Sequence, residues 1–492
     1  MPIGFNQVPA DTRVPLVYIE WDNTRAVQGL NEIQHKILIF GQRLSTGTVA
    51  AGVPTQITGP DQGDKYFGRG SMLANMCRAL KKANRFTEVW AVGLDDDGAA
   101  AAAAGSVEIT AAATGNGTLH FYVAGERVRG GVSDGDTTDT IATALKDAIN
   151  ANTALPVTAQ IDGSNSNLVN ITARNAGEAG NDIDLRFNYY SEDDLPDGVT
   201  VSVSAMSGGS ANPDITTNGI PAMADEWWDT VVLPYTDTAN LDALAQEMAD
   251  RAGPVEQKDG MVYAAHSGSH STLTTFGDGR NDEFASVMGA GKSPTAPWIW
   301  AAVNAAIAAD SLSRDPARPL QTLPLPGILP PARGERFTDA ERNLLLYDGV
   351  STYSVAVDGT VQIEAQITTY QENSAGVADT SYLYVNTLAT LSAIRYATRS
   401  RIALRFPRMK LADDGTRVGA GQPVVTPNTI RGELLALFRE MEAQGWVEGF
   451  EQYKADLVVE RDANDPNRLN VLSSPDLINQ FRVYAERTAF LV

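Results

Sequence analysis

KILIF at 36–40 is followed by KYFGRGSMLANMCRALKKA at 65–83 and EVWAV at 88–92. A short apolar run, an amphipathic stretch and a second short apolar run read as strand, helix, strand. The alternation returns downstream. Thr230–Leu233 reads as a strand, and Asn240–Ala252 as a helix with Leu241, Leu244, Ala245 and Met248 on one face. Gly260–Ala265 and Phe284–Met288 are further strands, and Trp298–Leu312 is a further helix. Helices alternating with short apolar strands predict a mainly parallel sheet covered on both sides.

Between these halves the pattern breaks at Asp95-Asp96-Asp97-Gly98 and the alanine run Ala99–Ala104. Beyond that boundary, short alternating segments recur at Ser106–Thr110, Thr118–Val123, Val157–Ile161, Leu168–Ala173, Ile183–Phe187 and Val199–Ser204. Gly, Asn, Asp and Ser clusters separate them, as between strands. One helix interrupts, around Thr138–Asn150, with Ile141, Ala144, Leu145, Ala148 and Ile149 on its apolar face. The expected organisation is therefore an α/β core over 26–94 and 215–370 with a β-rich domain inserted at 95–214. The insertion is expected to be dispensable for core folding. Pro316–Pro331 is rich in proline and reads as an irregular crossing segment.

Residues 371–480 read as a separate α+β domain. A helix is expected over Asp379–Arg399, and Thr426-Pro427 is a cap followed by proline at the first helical position. The helix it starts places Ile430, Leu434, Leu437, Phe438 and Met441 on one side. Both ends of the chain carry β-prone runs. In the N-terminal arm, 1–25, these are Val14, Leu16, Val17, Tyr18 and Ile19, and Pro15 restricts any strand there to an edge. In the C-terminal arm, 481–492, they are Phe481, Val483, Tyr484, Ala485, Phe490 and Leu491.

The net charge of −22 over 492 residues argues against general binding to nucleic acid or anionic membranes. The charge is uneven: residues 95–214 carry a net −13, whereas 371–492 carry −1. No run of about 18 apolar residues exists to span a membrane. The opening MPIGFNQVPADTRVPLVYIE lacks the basic and apolar regions of a secretory signal. The lone cysteine, Cys77, lies in a helical pattern and reads as a buried thiol, in keeping with a reducing cytoplasm.

Chemistry-bearing motifs are sparse. His266 and His270 in AAHSGSHSTL flank serines, and Asp95–Asp97 could serve them as partners. No G-x-S-x-G elbow supports a Ser-His-Asp site, so the stretch reads as a strand-to-helix loop capped by Ser269 or Ser271. Metal-ligand spacings, phosphate-binding loops and dinucleotide fingerprints are missing, so no catalytic residue, metal or cofactor is expected. One charged feature stands out. Arg395, Arg399, Arg401, Arg405, Arg408 and Lys410 form a basic band with no acidic residue between Asp379 and Asp413. It reads either as a solubilising face or as a docking band for an acidic partner.

Several long segments resemble the tail sheath proteins of Mu-like contractile-tailed phages. They are YLYVNTLATLSAIRYATRSRI (382–402), FPRMKLADDGTRVGAGQPVVTP (406–427) and GWVEGFEQYKADLVVERDANDPNRLNVLSSPDLINQFRVYA (445–485). IGFNQVPADTRVPLVYIEWDNTRAV (3–27), PTQITGPDQGDKYFGRGSMLANMCRA (54–79) and GDTTDTIATALKDAINANTALPVTA (135–159) resemble the same family, in the same order. The resemblance implies a subtilisin-like α/β core without that enzyme's activity, an α+β C-terminal domain facing a tail tube, and arms that cross to neighbouring subunits. It further implies a structural, non-enzymatic subunit that polymerises as stacked hexameric rings around the tube and contracts to drive it through a host envelope during genome ejection. The expected partners are the chain itself, tail tube, baseplate and tail terminator proteins, with no direct nucleic-acid contact or membrane insertion. The expected location is the virion tail sheath, reached from the host cytoplasm. The alternatives are the sheath of a headless bacteriocin-like or injection particle, a capsid or tube protein, and a subtilisin-like hydrolase.

Overall fold

The computed structural model describes residues 35–491. They form two compact units, residues 35–392 with 479–491, and residues 393–478. The expected N-terminal strand residues Val14 and Leu16–Ile19 lie outside the described residues.

The first unit starts with β1 (Lys36–Gln42), β2 (Thr55–Ile57), α1 (Gln62–Phe67), α2 (Met72–Ala83) and β3 (Glu88–Leu94). The single helix expected over 65–83 is two helices. Gly68 and Gly70 take φ of +87° and +84°, left-handed values that end α1. Ser71 then restarts the chain as the N-cap of α2, its hydroxyl accepting from the Ala74 amide at 3.1 Å. Cys77 is fully buried on α2, where burial pushes its thiol pKa up to about 12.

The insertion follows with β4 (Ala104–Ala111), β5 (Gly117–Val123), β6 (Glu126–Val132), α3 (Thr138–Ala151), β7 (Val157–Ile161), β8 (Leu168–Ala173), β9 (Leu185–Phe187) and β10 (Thr200–Ser207). These strands make two antiparallel sheets, β10-β4-β8-β7 and β6-β5-β9, and α3 packs on strands of both. Strand β6 escapes the sequence pattern because ERVRGGV is charged and glycine-rich. Its turn is also disguised. Ala124 and Gly125 both take positive φ, as in a two-residue primed hairpin turn, but alanine stands where asparagine would signal it.

The core resumes with α4 (Ile215–Asn218), α5 (Ile220–Met223), β11 (Thr230–Val232), α6 (Thr238–Ala252), β12 (Met261–Ser267), α7 (His270–Asp278), β13 (Ala285–Gly291), α8 (Pro297–Arg314), α9 (Asp339–Tyr347), β14 (Thr352–Val355) and β15 (Val361–Ala365). The central sheet runs β13-β12-β11-β1-β3-β2, parallel except for the antiparallel edge strand β2. Numbered along the chain, its parallel strands lie in the doubly wound order 2-1-3-4-5. Helix α8 packs on α2 and on β11, β12 and β13. Its run WIWAAVNAAIAA is buried almost all round, as an alanine-rich helix in a core should be. One continuous apolar cluster joins this sheet to the insertion.

The remaining elements are α10 (Val385–Arg405), β16 (Lys410–Leu411), β17 (Val424–Val425), α11 (Pro427–Ala443), β18 (Val447–Glu448), α12 (Phe450–Asp456), β19 (Val458–Arg461), β20 (Leu469–Leu472) and β21 (Asp476–Leu477). The helix expected from Asp379 begins six residues later, at Val385. Asp379 instead accepts from the Ser381 amide at 2.9 Å and from the Tyr370 hydroxyl at 2.7 Å, a local turn that competes with helix. At its other end α10 runs past Arg399 to Arg405 and stops before Phe406-Pro407. Helix α11 is as expected. Thr426 caps it, and Ile430, Leu434, Leu437, Phe438 and Met441 are buried. Phe438 stacks on Tyr453 at 4.1 Å, the centre of a second apolar cluster.

Candidate assembly surfaces

Open α/β sheets take ligands in the crevice beyond the carboxyl ends of the strands, where the strand order reverses. Here that point lies between β1 and β11, and the chain fills it with its own polar groups. Gln42, the last residue of β1, donates through Nε2 to Asp96 Oδ1 at 2.7 Å. Asp96 also accepts from Asn175 Nδ2 at 3.1 Å and from the Ala176 amide at 2.8 Å. Asn175 Oδ1 accepts from the Met72 amide at 3.0 Å, so an insertion residue occupies the N-terminus of α2. Where related folds present free backbone amides to a phosphate, this fold spends them on itself. The acidic boundary run, legible as a composition break, is thus a tie between insertion and core.

The histidines are also committed elsewhere. His266 is the next-to-last residue of β12, meets Thr236 Oγ1 through Nδ1 at 2.7 Å, and stacks on Phe276 at 4.5 Å. Burial lowers its pKa. His270 opens α7, with Nε2 3.1 Å from the Glu341 carbonyl oxygen. Ser269 caps α7 by accepting from the Thr272 amide at 3.2 Å. Ser267 donates to Asp182 rather than to a histidine. Asp95 pairs with Arg43 at 2.6 Å, and Asp97 accepts from the Ala99 amide at 2.7 Å. The structure does not bring these histidines, serines and Asp95–Asp97 together as a triad. Among the described residues no cluster of three or more His, Cys, Asp or Glu is placed to hold a metal.

The basic band divides in two. Arg401 pairs with Glu433 at 3.0 Å and with Glu440, and Arg405 pairs with Glu433 at 2.8 Å. These arginines brace α10 against α11 inside the second unit. Arg395, Arg399, Arg408 and Lys410 are exposed. The Arg399 guanidinium lies 5.9 Å from the Tyr396 ring centroid, and Lys410 Nζ donates to Gln422 Oε1 at 3.1 Å.

Among the described residues the C-terminal run forms no strand. Phe481, Val483, Tyr484, Ala485, Phe490 and Leu491 are all exposed. A second exposed apolar surface, missed in the sequence, is the hairpin β19–β20. Val458 and Leu472 face each other across it and are both exposed, Leu472 at 63%. Beyond their mutual pairing, these two strands have no other strand neighbour among the described residues. VVER and LNVL were legible as an apolar pair on each face, the pattern of strands covered on both sides.

Residues 208–369 match the family described as phage tail sheath protein central domain, and 377–490 match the phage tail sheath C-terminal domain. The chain belongs to the phage tail sheath protein family, and is a structural subunit of a phage-type tail sheath. A similar relative is the Mu-like prophage FluMu tail sheath protein of Haemophilus influenzae, 46% identical over 492 residues and covering 100% of both chains. Solved structures similar to it include a sheath tail protein from Desulfitobacterium hafniense (14% identity, TM-score 0.47, covering 94% of this chain and 100% of that one). Another is the PVC sheath complex of an extracellular contractile injection system in its contracted state (11% identity, TM-score 0.49, covering 97% and 98%).

Proposed function

We propose that the chain polymerises as stacked hexameric rings around a tail tube, and that the terminal arms link each subunit to its neighbours through strand addition. The reading rests on one observation above the others: an exposed, β-prone run with apolar residues at the C-terminus coexists with an exposed, two-stranded hairpin that has strand edges to offer. Each main-chain hydrogen bond so formed contributes about 1 kcal/mol net, so an arm strand contributes a few. The acceptor in this reading is β19–β20. Contraction then turns and widens the rings while the arms keep the lattice connected.

In the same reading, tube, baseplate and terminator proteins are the further partners, with assembly in the host cytoplasm. Four exposed residues of the band, Arg395, Arg399, Arg408 and Lys410, face acidic groups on the tube. Exposed pairs are worth only about 0–1 kcal/mol each, which suits a contact that must release. The subtilisin-like description of the core comes from the family resemblance, and a doubly wound parallel sheet is compatible with an α/β core of that class. The filled crevice supports a non-enzymatic role.

Electron microscopy of the purified protein tests the proposal. Tubes or stacked rings are expected, and a strictly monomeric species at high concentration, by light scattering as well, overturns it.

A further inference from the structure

After β21 the chain rejoins the first unit. Over residues 479–483 exposure alternates. Asn479, Phe481 and Val483 point outward, whereas Gln480 and Arg482 are half-buried. The Arg482 guanidinium lies 3.5 Å from the centroid of the Tyr384 ring and donates to Gln480 Oε1. Gln480 Nε2 donates to the Ala317 carbonyl at 2.9 Å, and Gln321 Nε2 donates to the Phe481 carbonyl at 3.3 Å. The receiving segment is itself held. Asn386, in the first turn of α10, donates to the Pro316 and Arg318 carbonyls at 3.0 and 2.7 Å. From Val483 to Leu491 the side chains are exposed, and the alternation between inward and outward residues ends.

We infer that Gln480 and Arg482 form a latch that ties the root of the C-terminal arm to its own core, so that the exchangeable strand begins at Val483. The planar guanidinium stacked on a tyrosine ring is an interaction that lysine would not reproduce. Its consequence for assembly deepens the arm-exchange reading and rests on it. A fixed root limits the reach of residues 483–492 to roughly 33 Å of extended chain. It also passes tension on the arm to Tyr384 and the proline-rich crossing segment, instead of back along the chain to β21.

Limited trypsin digestion of the full, unassembled chain reads the latch directly, because arginines lie on either side of Val483. Cleavage after Arg487 is expected to be roughly tenfold faster than after Arg482, since proteolysis follows local opening. Tyr384→Leu should bring the two rates together without altering cleavage at Arg487, and Tyr384→Phe should preserve the difference. If Tyr384→Leu does not fold, Gln480→Ala gives the same readout from a partly exposed position. Equal rates in the unaltered chain, or no change at Arg482 in these variants, overturn the latch. The arm reading fails separately, if a chain ending at Arg482 still forms regular tubes.

Discussion

Two hairpins of this chain are built on one plan. In β7–β8, Asp162 accepts from the Ser164 and Asn165 amides at 2.9 and 3.1 Å and from Asn170 Nδ2 at 2.9 Å. In β19–β20, Asp462 accepts from the Asn464 and Asp465 amides at 2.8 and 2.9 Å and from Asn470 Nδ2 at 2.8 Å. The strand register is the same, with Gln160 opposite Asn170 and Glu460 opposite Asn470. Their surroundings differ. β8 also pairs with β4, and Val157, Val169 and Ile171 are fully buried beneath a helix-covered sheet. β19–β20 packs on the second apolar cluster through Val459 and Leu469, and leaves Val458, Val471 and Leu472 exposed. A loop design sets a hairpin's register, and neighbouring elements decide whether its apolar residues are buried or left exposed.

The sharpest way to break this contrast is to remove the proposed partner strand. Deleting residues 483–492 should leave both units folded by circular dichroism but abolish ordered tubes in electron micrographs. Persistent regular tubes would show that the second hairpin has no need of the arm.

Substitution within the hairpins should then separate stability from assembly. Ile171→Ala, in the buried hairpin, should destabilise the fold by about 2–4 kcal/mol in denaturant melts. Val458→Lys combined with Leu472→Glu puts opposite charges across from each other, so the second hairpin itself is not penalised. That variant should change stability by less than about 1 kcal/mol and still prevent tube formation. A large stability loss in the second case would make β19–β20 a core element.

A smaller effect is expected at the basic band. Arg395→Glu with Arg399→Glu should spare sheath-only polymers but weaken co-assembly on tubes in a salt-sensitive manner, since exposed charge pairs are screened. Arg401→Ala should instead loosen the second unit, because it leaves Glu433 and Glu440 short of a partner. Tube co-assembly indifferent to both charge reversal and ionic strength would make the exposed arginines a solvated face.

The smallest effect concerns acid. Loop hydrogen bonds hold Asp462 down to about 2, led by the bond from Asn470, and they lower Asp162 as well, led by the Ser164 amide. A depressed carboxyl pKa contributes stability above its unfolded value, near 4, that is lost as pH falls towards the folded one. Amide exchange in loops 162–170 and 462–470 should therefore quicken, relative to neighbouring strands, between about pH 4 and pH 2. Asp462→Asn should remove that pH dependence in the second loop alone.

Much of the fold was legible because it rests on local patterns. Short apolar runs gave the core strands, 3.6-residue periodicity gave the buried face of α11, and Thr426-Pro427 gave its start. The acidic-alanine break falls where the chain leaves the central sheet, between β3 and β4. Errors fell where short-range chemistry was subtle: Gly68 and Gly70 splitting a helix, Asp379 delaying another, and Ala124-Gly125 turning a hairpin without asparagine. The twin Asp-x7-Asn spacing at 162–170 and 462–470 was present in the sequence but has meaning only once both loops are seen to close in the same way.

The sequence by itself determined the family, the strand and helix alternation, the acidic insertion and the β-prone C-terminus, since each is written in contiguous residues. Tertiary structure alone decided that Asp96 and Asn175 fill the doubly wound crevice, that Arg401 and Arg405 brace two helices through Glu433 and Glu440, and that Arg482 meets Tyr384. Those outcomes join residues dozens to more than a hundred positions apart. Local propensity and periodicity carry no information about which distant side chains a closed sheet will bring into hydrogen-bonding or stacking distance.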